Sequence, residues 1–136
     1  MDELILVVDD DVALVEAMTA TLESVGYRVA TATNVEDAVE AARREPPDLA
    51  ILDVMLATGG EGFHLAYDMR RDNRLAHIPI IMLSGIHRRT HFRFSPDSDG
   101  EFLPVERFLE KPVDPAVLLD EVAAVLAEHR DGGADG

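Results

Sequence analysis

Short apolar segments punctuate this chain, and between them apolar residues recur at helical spacing. Leu4–Val8 is a continuous run of branched residues, the pattern of a strand buried on both faces of a parallel sheet. Val12, Val15, Met18, Leu22 and Val25 follow at helical spacing, and Gly26 stands where a helix C-terminus breaks. Tyr27–Thr31 reads as a second strand. Asn34 with Asp37 resembles a helix-start cap, and Val35, Ala38, Val39 and Ala42 give the next helix a face of small residues. Pro46-Pro47 stops that helix, and Leu49–Leu52 begins a third buried strand ending at Asp53. A loop with Gly59, Gly60 and Gly62 leads to a helix carrying Phe63, Leu65, Ala66 and Met69. Ile78–Leu83 reads as a fourth strand, with Pro79 near its start where a missing donor is tolerated. Phe108-Leu109 marks a short fifth strand. Asp114-Pro115 then opens a last helix, with Val117, Leu118, Val122 and Val125 predicted to face inward.

Strands alternating with helices imply an α/β architecture, an open, doubly wound parallel sheet. The segment His87–Glu106 breaks the rhythm. A fourth helix belongs there, yet Ser95-Pro96, Gly100 and Pro104 interrupt every candidate, which predicts a degenerate helix or a long irregular loop. The 136 residues amount to one domain, placed at 1–130, with 131–136 as a flexible Gly-rich tail.

Composition narrows the functions open to such a fold. The chain is 47% hydrophobic and 29% charged, enough to bury a core. Its formal charge is −15, with 12 basic residues against 27 acidic ones, which argues against direct nucleic-acid binding and favours basic proteins or cations as partners. No apolar run is long enough to cross a bilayer, and Asp2 and Glu3 stand where a secretory signal carries positive charge. Cysteine is absent, which excludes disulfides and thiolate metal sites and fits a cytoplasmic location.

The polar residues on this scaffold carry the chemistry. Asp9 and Asp10 fall just past the first strand, Asp53 ends the third, Ser84 ends the fourth and Lys111 follows the fifth. All lie at the carboxyl ends of strands, where open parallel sheets bind ligands. Carboxylates crowded into one pocket repel one another unless a cation intervenes, and an all-oxygen set suits Mg²⁺ where phosphate is handled. A carboxylate so placed can act as a nucleophile and form an acyl phosphate. Lys111 would neutralise charge from another side, and the Ser84 hydroxyl can donate to a phosphoryl oxygen.

Four segments carry a family resemblance. Leu4–Asp11, Leu52–Leu56, Ile81–Gly85 and Phe108–Pro112 are similar, in order, to the acidic opening, phosphoacceptor, hydroxyl-bearing and lysine-proline segments of CheY-like response regulator receiver domains. The resemblance runs from about Leu4 to His129. It implies a flavodoxin-like five-stranded sheet of order 2-1-3-4-5 and a phosphoacceptor switch of two-component systems rather than an enzyme. In it Asp53 takes a phosphoryl group from a histidine kinase or phosphotransfer protein. Asp9, Asp10, Asp53 and the Met55 backbone carbonyl would hold Mg²⁺, and Lys111 and Ser84 would serve the transfer. Ser84 and Phe108 would form the signalling pair. The implied partners are that kinase and a downstream protein, with the chain itself a monomer or weak dimer. The residues that tune hydrolysis in the family correspond to Met55 and Ile86, both apolar, which implies a slowly decaying acyl phosphate. This chain differs from the family in having Ala57 where proline is usual, Gly62 one position late, and a longer interval between Ser84 and Lys111.

Other readings compete at individual positions. Asp9 and Asp10 could merely cap the first helix, Asp11 is better read as a cap or solvated charge than as a ligand, and Phe108 could be ordinary core. His87 and His91 share a helical spacing but lack an acidic partner for a metal. At the level of function, Asp9 and Asp11 superficially match an aspartyl-nucleophile phosphatase, although the chain has no room for a substrate cap. A nucleotide-binding oxidoreductase would need glycines where Asp9–Asp11 stand. A degenerate receiver, binding partners without phosphorylation, is the third alternative.

Overall fold

The computed structural model describes residues 3–53, 61–84 and 105–135, with residues 61–64 and 130–135 described for their backbone alone. In order these form β1 (Leu4–Val8), α1 (Val12–Glu23), β2 (Arg28–Ala32), α2 (Val35–Arg44), β3 (Leu49–Asp53), α3 (Glu61–Arg71), β4 (Ile80–Ser84), β5 (Arg107–Glu110) and α4 (Pro115–Asp135). The strands make one parallel sheet of order β2-β1-β3-β4-β5. This is the expected doubly wound topology.

Side-chain alternation explains why the central strands are apolar throughout. Leu6, Val8, Ala50, Leu52, Ile80 and Met82 face α2 and α3, where Ala38, Ala42, Leu65, Ala66 and Met69 close one half of the core. Ile5, Val7, Leu49, Ile51, Ile81 and Leu83 face α1 and α4, packing on Met18, Leu22, Leu118, Val122 and Val125. Both faces of the sheet are covered, so polar residues are excluded until each strand ends.

Local chemistry sets the ends of the elements. The Asp11 carboxylate accepts from Leu14 N at 3.2 Å and caps α1. The Asn34 side chain accepts from Asp37 N at 2.8 Å and donates to the Asp37 carboxylate at 3.0 Å, which caps α2 reciprocally. Gly26, at φ 103°, turns the chain out of α1 in a conformation that favours glycine. Asp48 locks β3 to β1: its carboxylate accepts from Leu4 N and its own N–H donates to Leu4 O, each at 2.8 Å.

The structure departs from the sequence reading in several places. β2 begins at Arg28 rather than Tyr27, because Tyr27 N still bonds back to Leu22 O in the α1 turn. β4 begins at Ile80 rather than Ile78, whose N–H is taken by Leu75 O in the preceding turn. Val12, Val25 and Val117, which match the apolar spacing, are exposed at 56%, 39% and 44%. Each sits in the terminal turn of a helix or just beyond it. α4 continues to Asp135, ten residues past the last apolar position, Val125, that the helical pattern marks. Of the predicted irregular stretch His87–Glu106, residues 87–104 lie outside the described residues, and Val105 and Glu106 lead directly into β5.

The arginines are also ordered. Arg28 and Arg107 begin strands, Arg43, Arg44, Arg70 and Arg71 end helices, and Arg74 follows α3 in the turn. In a parallel α/β layout these positions share the amino-terminal edge of the sheet, opposite the carboxyl ends that carry Asp9, Asp10 and Asp53.

Candidate functional site

β1 is flanked by β2 on one side and β3 on the other, so strand order reverses at β1 and β3. The crevice beyond their carboxyl ends is where such sheets bind ligands. Asp9 follows β1, its backbone N–H bonded to Ala32 O at 3.2 Å, and Asp53 is the last residue of β3. Both are buried, at 0% and 3% exposure, while neighbouring Asp10 is exposed. Carboxylate oxygens of Asp9, Asp10 and Asp53 lie within 4.8 Å of one another.

Lys111 enters this cluster from beyond β5. Its Nζ is 2.9 Å from Asp9 Oδ2 and 3.3 Å from Asp53 Oδ1. Burial opposes the lysine charge more than any other single influence. The Asp9 carboxylate at which the ammonium points and the charge of Asp53 together outweigh it, so the Lys111 pKa is raised and the group stays cationic. Lys111 N donates to Ser84 O at 2.8 Å, which ties the ends of β4 and β5 together, and the following Lys111–Pro112 peptide is cis.

Ser84 closes β4 and is partly buried, in register with Glu110. Phe108 is opposite Met82 and packs, partly buried, against the α2/α3 side of the core. The structure therefore gathers Asp9, Asp10, Asp53 and Lys111 and sets Ser84 at the adjoining strand end. Met55, expected to offer a carbonyl, lies outside the described residues. One contribution was not legible in the sequence: Asp11 N donates to Asp9 Oδ1 at 2.9 Å, a backbone contact that orients the Asp9 carboxylate. The capping reading of Asp11 holds, and for Asp9 it does not.

The donor set fits a hard divalent cation. It is composed of oxygen alone, and buried Asp9 Oδ2 has, apart from the Lys111 ion pair, no hydrogen-bond partner among the described residues.

The comparisons with known proteins agree with this geometry. The model of the response regulator receiver domain family matches residues 5–123. The chain belongs to that family. This receiver domain is 33% identical over 123 residues to protein PilH of Pseudomonas aeruginosa, covering 90% of this chain and 97% of that one. It is 36% identical over 126 residues to the transcriptional regulatory protein AfsQ1 of Streptomyces coelicolor, covering 93% of this chain but only 52% of the relative. Receiver structures superpose on it closely. A response regulator from Chloroflexus aurantiacus gives a TM-score of 0.78 at 28% identity over 93% of this chain and 99% of its own. The chemotaxis response regulator CheY4 of Vibrio cholerae gives 0.77 at 27% identity over 92% and 99%. The receiver thus spans nearly all of some relatives and about half of others. No helix among the described residues is long and apolar enough to cross a membrane.

Proposed function

We propose that this receiver domain is a phosphoacceptor switch in which Asp53 takes a phosphoryl group in a Mg²⁺-dependent reaction and so changes the domain's affinity for a protein partner. The observation that carries this reading is Lys111 Nζ lying between Asp9 and Asp53 at the point where strand order reverses. Asp9, Asp10 and Asp53 would hold the ion, with the Met55 carbonyl as an expected fourth ligand. Bound there, Mg²⁺ supplies charge neutralisation for the phosphoryl oxygens.

The protein's own part is positioning. A carboxylate oxygen of Asp53 attacks phosphorus, and the bond from phosphorus to the donor's imidazole nitrogen, or to the acyl oxygen of acetyl phosphate, breaks. The electron pair of that bond leaves with the donor, so the product is an aspartyl phosphate. Lys111 compensates the charge that accumulates on the phosphoryl group, and the Ser84 hydroxyl donates to one of its oxygens. The reading treats the domain as a signalling module rather than an enzyme with a turned-over substrate. The donor is a histidine kinase or phosphotransfer protein, and the output passes through Ser84 and Phe108 to a downstream protein.

Incubation with acetyl phosphate and Mg²⁺, followed by intact mass, tests it. Wild type gains the mass of one phosphoryl group, and chelation of Mg²⁺ or Asp53→Asn abolishes the gain. A wild-type protein that stays unmodified would establish instead a receiver that binds partners without phosphorylation. An adduct retained by Asp53→Asn would move the acceptor elsewhere.

A further inference from the structure

The far end of β5 carries an ion-pair network that the acidic crevice does not explain. Glu106, just before β5, accepts from Ile80 N at 2.7 Å through Oε1, while its own N–H donates to Ile80 O at 2.8 Å. Ile80 is fully buried, and the carboxylate satisfies an N–H that precedes the first β4–β5 register pair, Ile81 with Arg107. The same carboxylate accepts from Arg70 Nη2 at the end of α3, at 3.1 Å and 3.4 Å to its two oxygens. Arg70 Nη1 meanwhile donates to Ala76 O at 3.1 Å and Ile78 O at 2.5 Å, so one guanidinium holds the turn before β4 and the start of β5. Arg107 then anchors the strand to α4 through Glu121 at 3.0 Å and Glu128 at 2.6 Å.

β5 needs such fixing. It is an edge strand of four residues, paired on one side. A slip of one residue turns every side chain of a strand to the opposite face. Such a slip would carry Phe108 out of the core and withdraw Lys111 from Asp9 and Asp53. We propose that Glu106, clamped by Arg70, pins the register of β5, and that both are positioning residues for Lys111, roughly 16 Å further along the strand. The pin rests on the phosphoacceptor reading only where it predicts a rate.

Lys111 is the sole lysine of the chain, so acylation by acetic anhydride, read on the Lys111 peptide, reports its position whether or not the protein is phosphorylated. Glu106→Ala, assayed where denaturant curves show it folded, is expected to raise Lys111 acylation severalfold. Glu106→Gln keeps an acceptor for Ile80 N and stays near wild type. Labelling by acetyl phosphate slows on the order of tenfold in Glu106→Ala. In a Lys111→Ala background the same change adds nothing further, because it acts through the missing ammonium. Unchanged acylation in folded Glu106→Ala overturns the pin, as does equal slowing in both backgrounds. Raised acylation in Glu106→Ala, alongside a wild type that never takes up phosphoryl, would sustain the pin and overturn the phosphoacceptor reading.

Discussion

At the scale of single residues, the crevice pairs one lysine with carboxylates from two strands, in a chain whose other eleven basic residues are arginines. A compact ammonium on a flexible stem reaches between two carboxylates where a planar guanidinium would demand more room. The pairing has a defined pH signature. Because the Lys111 pKa is raised above its ordinary 10.5, its contribution to stability is complete below that value and is lost as pH rises through the folded value. The difference in urea midpoint between wild type and Lys111→Met should therefore be constant from neutrality to about pH 10 and change only above it. A difference that varied between pH 6 and about pH 9 would contradict the ion pair. Asp9, Asp10, Asp53, Ser84 and Lys111 were legible in sequence because each directly follows or ends an apolar run, and a buried strand gives its terminal polar residue a predictable place. Glu106 and Arg70 were not. Their partners are 26 and 36 residues away, a separation that no local pattern encodes.

Elements show a similar division. β1 and β3 were readable to the residue because both faces are buried and every position is apolar up to the terminal Asp53 of β3. β2 was displaced by one residue because its edge position leaves a mixed pattern of exposure. In helices, apolar periodicity located the buried middle of each but overran the ends, as Val12, Val25 and Val117 demonstrate. The caps are better markers there. Asp11→Ala and Asn34→Ala each remove a side-chain acceptor from an otherwise unpaired helix N–H and should cost about 1 kcal/mol in urea unfolding, with the m-value unchanged. The Asp11 variant also loosens the turn whose N–H orients Asp9. It should thus slow acetyl phosphate labelling, whereas Asn34→Ala should not. Equal effects of the two on labelling would remove Asp11 from any part in the site.

For the molecule as a whole, the arginine rim on one edge and the acidic crevice on the other are the features with the widest reach. Glu36, Asp37, Glu110 and Asp114 add to the acidic edge, at the starts of α2 and α4 and the end of β5. On the opposite edge, Arg28, Arg43, Arg70 and Arg107 are matched by Glu45, Asp72, Glu106 and Glu128. Unlike the crevice end, that edge is near balance among the described residues, so their negative charge is unevenly spread. A cationic protein approaching through solution therefore feels a torque as well as an attraction, and rotates the domain crevice-first before any surfaces touch. Phosphotransfer from a protein donor should slow steeply as ionic strength rises, since screening acts within about 10 Å at 0.1 M salt. Transfer from acetyl phosphate, itself an anion, should not share that slope. Glu36→Gln with Glu110→Gln should flatten the salt dependence for the protein donor alone. The search for the reactive orientation would in this way be shortened by the fold itself, which among the described residues gathers carboxylates at the end proposed for the transfer.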